Sequence, residues 1–460
     1  MALVKTSHKS CTVNPLKLSQ PIGAALAFLG INKCIPLLHG SQGCTSFGLV
    51  LFVRHFREAI PMQTTAMSEV TTIMGGAENI EEALLTLHKK AQPEVIGLCT
   101  TGLTETKGED LVGIVKEFRH KHPELDHLAI VPVSTPDFVG SLQDGWAKAV
   151  VRIVEELVEG KSANLPQVNV LVGSSLTAAD VEKVREIVTA FHLFPIVLPD
   201  LSGSLDGHIP DDFSPTTLGG TTRSRIREMG CSEMTIAIGE SMRTAAEVIE
   251  KKCGVPYVVF DRLTGLEAND QFLDLLFRLS RNEVPLKYRR QRSRLLDAML
   301  DGHFFFGRKK IAIGAEPDLL YALSSWFSEM GCEISTAVTT TPSPLLGKVP
   351  TAEVLIGDLE DLEEQAKGCD LLVTHSHGRQ ASERLHIPLF RVGIPIFDRL
   401  GVAHQLTVGY EGTMRLIFEV GNIFLANVKD HAPEKRELLY SEATPNAGAF
   451  PVLEGIGGLT

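Results

Sequence analysis

Short apolar runs recur along this chain, each closed by a polar or glycine-containing turn and followed by a stretch with helical apolar spacing. Three copies stand out as strand, helix, strand. They are 95–99, 109–120 and 128–133; then 168–172, 178–191 and 195–198; then 310–313, 317–330 and 332–338. Parallel strands need crossover helices, so each copy reads as a βαβ unit. Further strand-like runs at 234–238, 257–260, 354–356, 371–374 and 389–392 extend the same plan. The pattern predicts an α/β protein of three Rossmann-like domains, each a mostly parallel sheet flanked by helices. Composition shifts place the boundaries. A polar connector at 160–167 closes a first unit, 1–165. The residues 306–309 separate a second unit, 166–306, from a third, 307–431, which includes a returning C-terminal helix. A loop with three prolines spans 340–350, and 432–460, rich in Pro, Gly and Glu, reads as a tail.

At 460 residues the chain is too long for one ordinary core, and 44% apolar residues leave burial unlimited. The net charge of −12 argues against non-specific nucleic-acid binding. Eight cysteines are scattered without a CxxC pair, so neither a disulfide framework nor a self-contained zinc site is expected. The apolar stretch 21–38 is interrupted by Gly23, Gly30, Asn32, Lys33 and Pro36, and reads as a helix followed by a strand rather than a membrane span. With no secretory signal pattern at the N-terminus, the expectation is a cytoplasmic protein.

Candidate chemistry centres on Cys44. An apolar run ends in His39-Gly40-Ser41-Gln42-Gly43-Cys44, and a second apolar stretch begins at Phe47, so the pattern reads strand, tight turn, helix start. A thiol at a helix N-terminus meets free N–H groups that favour thiolate, the form that binds iron–sulfur clusters. Such a cluster wants about four ligands, and no other cysteine lies near in a recognisable spacing. Either Cys44 is an inert thiol or its co-ligands come from another chain. Cys34 and Cys99 read as core. The turns at Gly173, Gly239 and Gly314 match no phosphate-binding pattern. His375 and His377 follow a strand, where alternation would point them to opposite sides. The basic stretch 286–300 reads as a solvated helical face, with an acidic partner as the alternative.

The segment His39–Cys44, continued by Phe52-Val53-Arg54-His55-Phe56-Arg57-Glu58, resembles the nitrogenase superfamily. Matches run from about Pro15 to Asn427. They include Met74-Gly75-Gly76, Thr100-Thr101-Gly102-Leu103-Thr104, Gly108-Glu109-Asp110, Thr135-Pro136-Asp137-Phe138, Pro199-Asp200-Leu201-Ser202-Gly203 and Gly393-Ile394-Pro395-Ile396-Phe397. The resemblance is to the β-type subunits, and among them to those serving cofactor assembly. It implies three nitrogenase-type α/β domains. In catalytic β subunits three cysteines ligate a cluster; the matching positions here are Ser19, Cys44 and Gly102. Only the second is a thiol, which implies a smaller [4Fe–4S] cluster shared with an α-like partner that supplies the other ligands. Asp137 matches a cluster neighbour, and Met74, with Gly75 and Gly76, a contact for the Fe protein. The resemblance further implies a heterotetramer with NifE as the α-like subunit and transient contact with the Fe protein, NifH, and with cofactor donors and acceptors. The iron–molybdenum cofactor precursor is then held mainly in the partner, and this chain carries no catalytic residue of its own. A catalytic β-type subunit of a nitrogenase-like reductase is the alternative.

Overall fold

The computed structural model of the chain describes residues 1–427 apart from 10, 11, 13, 162 and 164. The expected tail at 432–460 and the last residues of the expected third unit lie outside the described residues. Fourteen strands are found among them: β1 (Leu3–Thr6), β2 (Cys34–His39), β3 (Gln63–Thr64), β4 (Val95–Thr100), β5 (Ala129–Val133), β6 (Gln167–Val172), β7 (Phe194–Leu198), β8 (Met234–Ile238), β9 (Tyr257–Phe260), β10 (Lys310–Ala315), β11 (Glu333–Thr339), β12 (Glu353–Ile356), β13 (Leu371–Thr374) and β14 (Leu389–Arg391). They form three sheets, ordered β3-β2-β4-β5, β7-β6-β8-β9 and β1-β12-β11-β10-β13-β14. Every named pairing is parallel. The apolar runs read from the sequence are these strands, buried on both faces by crossover helices. One strand departs from the expected partition. β1 pairs with β12, Leu3 opposite Glu353, and so joins the third sheet although it lies within 1–165. All four of its residues are exposed, so it is an edge strand that carries no buried run to announce it.

The first sheet packs through β2 and β4 on the helix Gln20–Leu29, in which every residue but Ile22 is buried. This helix crosses the helix Leu142–Leu157 backbone to backbone. A Cβ at Gly23 would overlap the Leu142 carbonyl, and one at Gly145 would overlap the carbonyl of Gln20. The Trp146 indole then donates to the Val172 carbonyl at 2.9 Å, which ties the second helix to the second sheet. Among the described residues no helix is long and apolar enough to cross a membrane.

Buried carboxylates close the joints between sheets. Glu316, just after β10, accepts from the Ser141 hydroxyl at 2.6 Å and the Thr340 hydroxyl at 2.7 Å. Asp318 accepts from the Ser241 hydroxyl at 2.6 Å, while its own amide donates to the Gln143 side chain at 3.0 Å. Gly239 has φ +97°, and a Cβ there would stand 2.5 Å from the Asp318 carboxylate, so glycine admits the acid. Asp180 accepts from the Thr407 and Val408 amides at 2.6 and 3.1 Å and holds the last helix, Gly409–Ala426, to the second sheet. Burial raises all three acids: Glu316 to about 7 and Asp318 to about 6, with Asp180 shifted the same way.

A raised carboxyl means that the folded chain keeps a proton the unfolded chain has released. That stability is present below the unfolded pKa and is lost as pH rises through the folded one. For Glu316 the window runs from 4.5 to about 7. The neutral variant Glu316→Gln is therefore expected to match wild type in melting temperature at acidic pH and to exceed it above neutrality, as followed by scanning calorimetry. A constant offset at both ends would remove Glu316 from the account.

Candidate functional site

In an open parallel sheet, ligands sit outside the carboxyl ends of the strands where the strand order reverses. The three sheets have three such points. In the second sheet, between β6 and β8, the point is filled by Asp318, whose carboxylate faces Gly173 and Gly239. In the third, between β10 and β13, His375 takes it. Its Nε2 donates to the Leu16 carbonyl at 3.0 Å, and its Nδ1 accepts from the His377 amide at 3.3 Å. Burial pushes His375 down to about 4, so it is neutral and both nitrogens are engaged within the chain. In the first sheet the point lies between β2 and β4. Cys44 follows the first of these strands and Gly102 the second.

Cys44 is the third residue of the helix Gln42–Phe56, behind Ser41 at its N-cap. It is half-buried, and its Sγ lies 3.6 Å from the Ser41 hydroxyl. The helix is clamped at its other end. The His55 Nδ1 accepts from the Ile396 amide at 2.9 Å, the Arg54 guanidinium lies 4.1 Å from the Phe397 ring centroid, and burial lowers His55 to about 4. Gly48 allows close packing midway: a Cβ there would stand 2.9 Å from Ile22 and from Met62. Three residues beyond Cys44, Phe47 is 83% exposed, and Val50 and Val53 follow at the same interval. The thiol thus opens an uncovered apolar stripe on one helix face.

Behind the turn lies a fully buried histidine. His39 Nε2 is 2.5 Å from the Glu109 carboxylate, and its Nδ1 is 2.9 Å from the Thr65 hydroxyl, which also accepts from the Gly40 amide. Neutral His39 protonated on Nε2 satisfies this arrangement. Burial lowers the His39 pKa although Glu109 opposes it. For Glu109, burial acts upward, but hydrogen bonds from His39 and the Gly76 amide hold the carboxyl below its usual range. The second Glu109 oxygen accepts from Gly76 at 2.9 Å, and a Cβ at Gly76 would overlap the His39 ring. The His39 carbonyl accepts from the Thr101 and Thr104 hydroxyls at 2.9 and 3.2 Å. One buried pair therefore fixes three segments: the Cys44 turn, the start of Gly102–Lys107, and Met74-Gly75-Gly76.

The sequence-based site residues converge on this end of the first sheet. Ser19 is the N-cap of Gln20–Leu29, and the adjacent Gln20 amide reaches the Val139 carbonyl at 2.7 Å, beside the Asp137 segment. Gly102 and Asp137 line one pocket of about 550 Å³ with Thr72, Leu103, Thr106, Lys107 and Phe138. Met74 is 82% exposed; with Val70 and Ile73 it makes the short helix Glu69–Met74 an apolar surface with no buried residue.

Other expectations resolve differently. The chain turns after Thr374, so His375 and His377 do not alternate as they would along a strand; their rings meet edge to face, 5.2 Å between centroids. The basic helix Leu286–Phe306 presents Lys287, Arg289, Arg290 and Arg294 to solvent, as expected, and Arg292 pairs with Asp270 at 2.8 Å. Cys34 and Cys99 are fully buried, and burial raises both thiols far above the usual range. Three contributors had no assigned role from the sequence: Thr65, His55 and Glu109. The last two lie in quoted motifs, but nothing in spacing shows which buried partner each will meet. Among the described residues no three His, Cys, Asp or Glu side chains form a metal-binding group. Cys44 is the one thiol at this end of the sheet among the site residues read from the sequence, where an iron–sulfur cluster takes about four ligands.

The model of the nitrogenase component 1 type oxidoreductases matches residues 19–425, and the chain belongs to that family, whose members bind metal clusters and work in complexes. Within it the chain falls with the nitrogenase iron–molybdenum cofactor biosynthesis proteins NifN. The Bradyrhizobium diazoefficiens NifN is 57% identical over 433 residues, 93% of this chain and 92% of the relative. The Nostoc NifN is 54% identical over 425 residues, 92% and 96%. Among solved structures, nitrogenase Cp1 at pH 6.5 superposes with a TM-score of 0.88 at 31% identity, over 94% of this chain and 97% of that one.

The His39–Glu109 pair yields a direct check. Glu109→Gln replaces a carboxylate that accepts from both His39 and the Gly76 amide by a neutral amide with a single acceptor oxygen. The expected loss is about 1–3 kcal/mol, read from urea midpoints, together with faster hydrogen exchange at the Gly75 and Gly76 amides. An unchanged midpoint would mean that the pair does not anchor these segments.

Proposed function

We propose that this chain is the β-type half of a scaffold on which the iron–molybdenum cofactor of nitrogenase is completed. It pairs with an α-like subunit, NifE, and Cys44 supplies one thiolate to a [4Fe–4S] cluster shared across their interface. The carrying observation is the setting of Cys44. It is half-exposed at a helix N-terminus, at the head of the uncovered stripe Phe47, Val50 and Val53, with no companion metal group among the described residues. A cluster that wants about four ligands then draws the rest from whatever covers the stripe. When bound, such a cluster supplies one-electron transfer toward a precursor held mainly in the partner. The residues of this chain hold and orient: the His39–Glu109 pair sets the turn, and His55 fixes the helix that presents the thiol. Val70, Ile73 and Met74 offer the apolar surface for the Fe protein, NifH, in a cytoplasmic complex that also meets cofactor donors and acceptors. The alternative, a catalytic β-type subunit of a nitrogenase-like reductase, is disfavoured because Ser19 and Gly102 stand where a larger cluster would need thiolates.

Assembly as a heterotetramer is supported by the helix Leu286–Phe306. Leu296, Leu300 and Phe304 are exposed along one face. Beside them Arg290, Arg294, Asp297 and Asp301 form no ion pair among the described residues. Packed antiparallel about Leu300 on a second copy of itself, this helix sets Leu296 opposite Phe304, as a two-fold contact requires.

Two experiments follow. In the anaerobically purified complex, Cys44→Ala is expected to remove about four irons and four sulfides per αβ unit while the complex stays intact by native mass spectrometry; unchanged iron would refute the ligand role. Leu300→Asp combined with Phe304→Asp is expected to halve the mass of the complex, leaving αβ units with their iron. An undiminished tetramer would place the two-fold contact elsewhere.

A further inference from the structure

We propose that Asp137 bars position 102 from ligating the cluster, so that a thiol placed there would not add a second thiolate to that of Cys44. The inference rests on the shared-cluster reading above and names a barrier to cluster ligation at position 102 beside the missing side chain itself. Gly102 opens the helix Gly102–Lys107 and is buried. A Cβ added to it would overlap Asp137 Oδ1 and would stand 2.6 Å from Cγ and 2.7 Å from Oδ2. The whole carboxylate, rather than one oxygen, occupies the volume of the missing side chain.

Nothing in the described chain asks Asp137 to be there. Its carboxylate has no hydrogen bond or ion pair among the described residues. The neighbouring charges are committed elsewhere. Lys107 lines the same pocket, but its ammonium is 3.3 Å from Glu109 and 3.5 Å from the Thr71 carbonyl. Glu105 accepts from the Thr100 and Ser134 hydroxyls. An exposed, unpartnered carboxylate standing over a buried glycine has an effect beyond packing. It is free to swing aside, yet it stays on the wall of the same pocket with its charge. Two like charges in one site resist joint ionisation, so a thiol at 102 would be held protonated, and the thiol is not the ligand form. The steric barrier yields when the carboxylate swings aside, whereas its charge stays on the pocket wall, and iron is left with the thiolate of Cys44.

Three forms of the full chain test this: wild type, Gly102→Cys, and Gly102→Cys with Asp137→Ser. Alkylation of the introduced thiol, mapped by mass spectrometry across pH, needs no cluster. Removing the carboxylate is expected to lower its midpoint by about one pH unit or more; coincident midpoints would overturn the proposal. Gly102→Cys is expected to lower the melting temperature and Asp137→Ser to restore it, so a double variant no more stable than the single one also counts against it. In the complex with the α-like partner, Gly102→Cys alone is expected to hold only the wild-type iron, and extra iron there would refute the exclusion. If instead Cys44→Ala leaves iron unchanged, the shared-cluster reading fails, and the alkylation midpoints still judge Asp137.

Discussion

The close crossing of Gln20–Leu29 over Leu142–Leu157 is the constraint on which the rest of this molecule depends. Two helices touch through Gly23 and Gly145 because neither position carries a side chain. Contact at that range leaves no room for sliding, so both helix N-termini are placed together. From that junction the second helix reaches every sheet. Its N-cap Ser141 and Gln143 bond Glu316 and Asp318, which follow β10 of the third sheet, and Trp146 bonds the end of β6 in the second sheet. A methyl group at either glycine would have to move backbone rather than side chains, which is the most expensive form of overpacking.

The same crossing sets the site. By holding Gln20 against Val139, it brings Ser19 and the Asp137 segment to the carboxyl end of the first sheet, where Cys44 and Gly102 already lie. Three parallel sheets offer three reversal points, and the chain treats them unequally. Asp318 closes the second, one of its oxygens accepting from Ser241, and His375 closes the third with both ring nitrogens bonded inside the chain. At the first, the groups that converge are a half-exposed thiol, a bare glycine and an unpartnered carboxylate, bordered by uncovered apolar side chains. Two points serve as structural joints, and the remaining one is where we propose the external ligand binds.

Much of this was legible in the residues, for identifiable reasons. Strands buried on both faces announce themselves as apolar runs, so β4, β5, β6, β8, β10 and β13 fall where periodicity predicts. β1 and β3 escape because an exposed edge strand and a two-residue strand leave no such run. The Cys44 turn was readable as strand, turn and helix because glycine and polar residues break the apolar pattern at His39–Gly43. Its supports were not. Glu109 meets His39 across 70 residues of chain, and His55 meets Ile396 across 341. Periodicity carries no information on which buried polar group will find which. The histidine pair 375 and 377 failed for a local reason: alternation was assumed one residue past the point where the strand ends and a tight turn begins.

The central claim is that Cys44 is one ligand of a cluster whose other ligands come from the chain that covers Phe47, Val50 and Val53. The most direct measurement is iron anomalous diffraction from crystals of the anaerobically purified complex with its α-like partner. The account predicts iron bonded to the Cys44 sulfur at the subunit interface, with the remaining ligands contributed by the partner. A Cys44 sulfur packed against protein atoms, with all iron held elsewhere, would contradict it.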